Sequence, residues 1–211
     1  MLSRFIQCAR PVLLASALLL GGCGTLHKSA TSLSEVDSGS VMVVGKIEML
    51  PKIQAKDQDL KMGTVDPFNV KEAYRNRAML FLSDQLTEAE TTREAFNPQL
   101  EETYFFPIPK DKRYIVYGSV YTYYKLRTVN RYRSEVNTNE ILLPVPIEFD
   151  IRPGDKAIYV GTWRFHRDEF NEVTKAELVD QYPAALAEFR KQFGANAELR
   201  KALARPARSS K

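Results

Sequence analysis

The opening 23 residues constrain this chain more than any other stretch. Arg4 and Arg10 flank a short lead, the apolar run Val12 to Leu20 comes next, and Gly21 and Gly22 precede Cys23. This is the layout of a secretory signal: a positive n-region, an apolar h-region of roughly ten residues and small residues before the cut. The run is too short for a transmembrane helix, which takes about 20 apolar residues. Gly21, Gly22 and Gly24 would also break a buried helix at this place. The signal therefore sets the conditions of folding. The mature chain folds in an exported, oxidising compartment, and roughly 190 residues suffice for one domain with a sizeable core.

The sequence Leu20-Gly21-Gly22-Cys23 resembles the lipobox of bacterial lipoproteins, a Leu and two small residues before a Cys. The resemblance implies cleavage between Gly22 and Cys23, a thioether-linked diacylglycerol on Cys23 and an acyl group on its amine. A single acyl chain binds only marginally, because each buried CH₂ contributes about 0.8 kcal/mol, whereas two or three chains anchor durably. The next residue is Gly24 rather than the Asp that retains lipoproteins in the inner membrane under enterobacteria-like sorting. The resemblance thus implies the outer membrane, facing the periplasm, with the bilayer as a partner through acylated Cys23. Cys8 leaves with the signal, so the mature chain keeps no free thiol and no disulfide. Stability must come from a hydrophobic core, and thiol catalysis and Cys-based metal sites are excluded.

Charge constrains little. Losing Arg4 and Arg10 lowers the formal net charge from +4 to about +2. The tail holds Arg200, Lys201, Arg205, Arg208 and Lys211, and a second basic stretch holds Lys125, Arg127, Arg131 and Arg133. Either is a solvated face or a contact to anionic headgroups and other envelope polyanions. Nucleic acid is not expected as a partner of an exported lipoprotein.

Residues 23–40 read as the lipidated Cys and a flexible tether, because Lys28 to Ser40 lacks the large apolar groups needed to offset ordering entropy. A β-domain is expected over 41–170. Val41 to Leu50, Ala78 to Leu82, Thr103 to Pro109, Arg113 to Tyr124 and Ala157 to Phe165 are rich in strand formers. For Ala78 to Leu82 a helix is the competing reading. Pro144 and Pro146 break Ile141 to Ile151, which suits an edge strand or a bulge. Helices are expected over 171–204: Thr174 to Glu177 fits a capping box, Pro183 a first turn, and Leu186, Phe189 and Phe193 recur at helical spacing before Gly194. Residues 205–211 read as a disordered basic tail.

Phe106 through Tyr117, and Phe149 to Gly154 leading into Ile158-Tyr159-Val160-Gly161, resemble the transthyretin-like (prealbumin-like) modules of many bacterial lipoproteins. There, strands ending in a Pro-Gly turn lead into an apolar Tyr-Val/Ile-Gly strand. The resemblance spans roughly Val41 to Phe165. It implies a mainly β fold, an antiparallel β-sandwich carrying a C-terminal helical appendage.

Few residues carry chemistry. His27 lies in the tether, and His166 ends a strand without a Gly-x-Ser-x-Gly elbow, a Ser-x-x-Lys or a His-Glu-x-x-His beside it. Glu101-Glu102, Asp168-Glu169 and Glu172 are near one another in sequence and are the candidates for paired carboxylates of the glycosidase kind; a solvated charge run explains them as well. No cofactor or metal site is expected. Tyr117, Tyr121 and Tyr123 alternate onto one face and run towards Lys125, Arg127 and Arg131. Tyr and Arg are enriched at interface hot spots, so these six form the candidate binding patch. The expected function is a non-enzymatic binding or accessory module of the envelope, with another envelope protein or polymer as partner. The alternative is an envelope hydrolase acting on glycan or peptide through paired carboxylates.

Overall fold

A computed structural model describes residues 25–54, 58, 75–86, 94–122, 126–130, 133–136 and 140–207. Gly22 and Cys23, and with them the whole of the expected signal, lie outside the described residues, as do Tyr123, Lys125, Arg131 and the side chain of Arg127. The strands are β1 Thr25–His27, β2 Ser40–Leu50, β3 Ala78–Ser83, β4 Glu94–Phe96, β5 Thr103–Pro109, β6 Tyr114–Tyr121, β7 Leu126–Asn130, β8 Arg133–Val136, β9 Glu140–Leu142, β10 Ile147–Glu148, β11 Ala157–Arg167, β12 Val173–Val179, β13 Arg200–Lys201 and β14 Arg205–Pro206. The α-helix α1 spans Tyr182–Phe193.

The chain is mainly β, and its strands form two mixed sheets. The first has the order β1-β4-β3-β6-β10-β14, with β9 also on β6; the second runs β12-β11-β2-β5, with β13 on β11. Strands β7 and β8 pair with each other. Most pairs are antiparallel, as expected, but β1–β4, β2–β11 and β11–β13 are parallel. The centre of the second sheet thus departs from an all-antiparallel arrangement. The physical reason is burial on both faces. Val41 to Gly45 and Ala157 to Trp163 are buried at every position, the continuous apolar pattern of strands covered on both sides.

Alternation along β2 divides the interior into two cores. Val41, Val43, Ile47 and Met49 face the first sheet and pack with Leu80, Leu82, Phe96, Ile115, Val120 and Ile147. Met42 and Val44 face the other way and pack with Tyr159, Ala185, Phe189 and Leu199 beneath α1. The helix forms where its sequence signals it. Pro183 sits in the first turn, where its missing N–H costs nothing. Ala185 and Phe189, four residues apart, are its buried stripe, and Gly194 ends it at φ +108°, donating its N–H to the Arg190 carbonyl at 2.9 Å.

Four expectations are corrected. The segment after Thr25 is not a free tether. Its first residues form β1 against β4, buried Ala30 donates its N–H to the Phe105 carbonyl at 2.8 Å, and Ser32 and Glu35 close a reciprocal capping box around a 3₁₀ turn. Thr174 to Glu177 does not start a helix but belongs to β12, where Lys175, Ala176 and Glu177 lie opposite His166, Phe165 and Arg164 of β11; a waiting strand edge outweighs a local capping signal. Ala197 to Ala204 is extended rather than helical. Here Ala202 and Ala204 donate to the Tyr159 and Val160 carbonyls, both at 2.9 Å, so the chain satisfies its backbone on β11 instead of within itself. The start of the expected disordered tail is likewise held, with β14 paired to β10 and Arg205 ion-paired to Glu148 at 3.0 Å.

A further ion pair, with a buried carboxylate, fastens this C-terminal segment. Arg200 donates to both carboxylate oxygens of buried Asp155, at 2.7 and 2.6 Å, and the Arg152 amide donates to the same carboxylate at 2.6 Å. Burial pushes the Asp155 carboxyl up, but the Arg200 hydrogen bonds, the Arg152 amide and the two positive charges outweigh it and hold it below its usual range. A carboxyl lowered in the folded state stabilises above its unfolded pKa, and that contribution is lost as pH falls below about 4. Asp155→Asn is expected to lower stability at pH 7 by about 1–3 kcal/mol. It should also flatten the decline of the urea midpoint between neutral pH and about pH 3, where carboxylates titrate. A variant with the wild-type pH slope would show that this pair carries no linkage.

Candidate functional site

The face of the first sheet turned away from its core carries no acidic or basic side chain in its two central rows. It is built by register. Leu26 of β1 lies opposite Ala95 of β4, Ala95 opposite Phe81 of β3, and Phe81 opposite Tyr117 of β6. The next row places Met79, Ser119 and Leu142 side by side on β3, β6 and β9. Phe81 and Tyr117 meet edge to face with centroids 5.6 Å apart, a geometry aromatic pairs favour. Tyr121 stands two residues beyond Ser119, opposite Glu140. The alternation expected for Tyr117, Ser119 and Tyr121 is therefore what β6 displays, whereas Ile115 and Val120 enter the core. A register shift between Phe81 and Leu82 lets β6 place Ile115 and Tyr117 on opposite faces.

The charges on this face lie outside those two rows and are engaged. The Tyr117 hydroxyl donates to the Glu140 carboxylate at 2.6 Å, and burial first, then that carboxylate, raises the Tyr117 hydroxyl above its usual pKa. Glu148 is paired with Arg205, and Arg77 donates to the Asn97 carbonyl at 3.0 Å. Of the six patch residues expected from sequence, the described side chains are Tyr117 and Tyr121, and both lie here. Leu26, Phe81 and Leu142 escaped sequence reading. A continuously apolar run such as Ala78 to Leu82 does not say which residues face out, and β1 lies in the supposed tether.

The opposite side of the molecule differs in character. Beyond α1, the outer face of the second sheet carries alternating charge: Lys46 and Glu48 at 3.0 Å, Arg164 on Glu48 at 2.8 Å, and His166 on Glu177 at 3.2 Å. Lys175 also pairs with Glu177. Where this ladder meets the helix, Lys46, Thr103, Thr162, Gln181 and Glu188 line a recess of about 100 Å³. Small-molecule sites run to about 300–1,000 Å³, so this recess accommodates little beyond water. Its Thr162 hydroxyl and Gln181 side chain bond each other at 3.1 Å.

The candidate carboxylates hold local structure. Glu101 accepts from the Met49 amide at 2.9 Å, and Glu102 from Gln99 at 2.5 Å. Asp168 accepts from the amides of Phe170 and Glu172, both at 2.9 Å. His27 sits on β1 beside Glu94 at 3.2 Å. Among the described residues no three His, Cys, Asp or Glu side chains cluster as metal ligands, and no helix is long and apolar enough to cross a membrane. Comparison with protein-family models, with curated proteins and with solved structures found no match.

Proposed function

We propose that this chain is a lipid-anchored, periplasm-facing module of the outer membrane, non-enzymatic, whose binding surface is the outer face of the first sheet. The observation that carries the reading is a juxtaposition. The lipobox-like Leu20-Gly21-Gly22-Cys23 ends two residues before Thr25, and Thr25 opens the edge strand of the sheet that bears Tyr117 and Tyr121. We read the two facing sheets as a β-sandwich of the transthyretin-like kind, supported by their shared core and by the turn at Arg152 to Asp155 before β11. The parallel β2–β11 pair is its own departure from that pattern.

The anchor is tested by the intact mass of the protein isolated from membranes and by metabolic labelling with an alkyne fatty acid. The expected results are a mature chain beginning at Cys23 with diacylglycerol and acyl additions, and complete loss of label in Cys23→Ser, which should move to the soluble fraction. An uncleaved or unacylated wild-type chain would overturn the reading.

A further inference from the structure

We propose that the outer face of the first sheet lies on the bilayer that holds the protein's own anchor, so that Leu26, Phe81, Tyr117 and Leu142 contact lipid at the headgroup–acyl boundary. This rests on the anchored reading above and names what the proposed binding surface binds. The first argument is reach. Thr25 is two residues from Cys23, and two residues span at most about 7 Å. An acylated Cys23 therefore brings β1 to the membrane surface, and Leu26 comes next on the outward face.

The second argument is exposure. The large hydrophobic side chains exposed among the described residues are Leu26 at 48%, Leu86 at 38% and Leu142 at 58%. Two of them stand on this face. Leu86 lies beyond the end of β3, at the sheet end where β1 begins, since Leu82 is in register with Glu94 and Glu94 with Thr25. The third argument is charge. The rows Leu26-Ala95-Phe81-Tyr117 and Met79-Ser119-Leu142 contain no ionisable group except the tyrosine, while the second sheet turns Lys46, Glu48, Arg164, His166, Lys175 and Glu177 the other way. Tyrosine suits a membrane interface, since its ring is apolar and its hydroxyl stays wet. A flush orientation would leave α1 and the charge ladder facing the periplasm.

The mature chain offers no thiol once Cys23 is acylated, so single cysteines can be labelled selectively. Full-length Leu142→Cys, Leu26→Cys and Lys175→Cys proteins, purified from membranes, are labelled with an environment-sensitive fluorophore. They are then reconstituted into phosphatidylethanolamine–phosphatidylglycerol vesicles. The expected result is a blue shift at positions 142 and 26 and loss of most of that emission when a nitroxide lipid is added, with neither change at 175. Emission at 142 and 26 that resembles 175 would overturn the inference. A blue-shifted but unquenched probe would place protein, a second copy included, over this face and overturn it too. The mass of the same samples separates the two readings. Acylated Cys23 with unquenched probes removes only the bilayer contact, whereas unacylated Cys23 removes the anchor and the contact together.

Discussion

Gly161→Ala is expected to destabilise the protein by about 3–5 kcal/mol, the sum of backbone strain and overpacking. Gly161 has φ +106°, in the region that L side chains rarely adopt. A Cβ there would lie 2.3 Å from Leu178 Cδ1 and 3.2 Å from its Cγ. Leu178 packs against the main core from β12 and is only partly buried, so its side chain must shift to admit the new Cβ while the backbone strain at Gly161 remains. The glycine also marks the register shift between Tyr159 and Gly161 where β11 meets β2. Domains of this size are stable by only about 5–15 kcal/mol, so the variant should unfold at much lower urea. The single tryptophan, Trp163, is buried in the same core and reports the transition. Gly154→Ala is the control, because nothing lies within 4 Å of its added Cβ. A Gly161→Ala loss below about 1 kcal/mol would show that the bulge relaxes without strain.

Phe189→Ala is expected to cost about 3–5 kcal/mol, the usual range for removing a buried phenylalanine. The side chain is fully buried, with ring contacts to Phe193 at 4.9 Å and to Phe105 of β5 at 6.2 Å. It is the principal apolar link between α1 and the second sheet, and Ala185 is the other buried residue of the helix. If the two cores form one cooperative unit, helix circular dichroism and Trp163 fluorescence should shift together. Loss of helix signal alone, with an unmoved Trp163 transition, would show that α1 is an independently detaching layer. Phe193→Ala, at a partly buried position, should give the smaller effect.

Strand identity was legible wherever a segment alternates or stays apolar for several residues. Val41 to Leu50, Ala78 to Leu82, Thr103 to Pro109 and Ala157 to Phe165 are strands with nearly the expected ends, because local propensity and burial agree there. The helix from Tyr182 was legible for the same reason, since Pro183, the Leu186-Phe189-Phe193 spacing and Gly194 all act within one element. Readings failed where a local signal competes with a distant partner. Thr174 to Glu177 carries a capping box yet pairs with β11, and the polar stretch after Thr25 is held by β4 and β5.

The site divides in the same way. Alternation along β6 marks Tyr117 and Tyr121 as sharing a face, since side chains in a strand repeat every two residues. It cannot show that Leu26, Phe81 and Leu142 join them, because those neighbours come from strands separated by tens of residues. By itself the sequence determined the signal-like N-terminus, the lack of any cysteine beyond Cys23, the β character and the helix, all properties of contiguous residues. Only the tertiary structure decided the parallel β2–β11 pairing, the division of the interior into two cores and the low-charge face that begins at β1. These depend on register between distant strands, and a one-residue slip would turn every side chain to the opposite face.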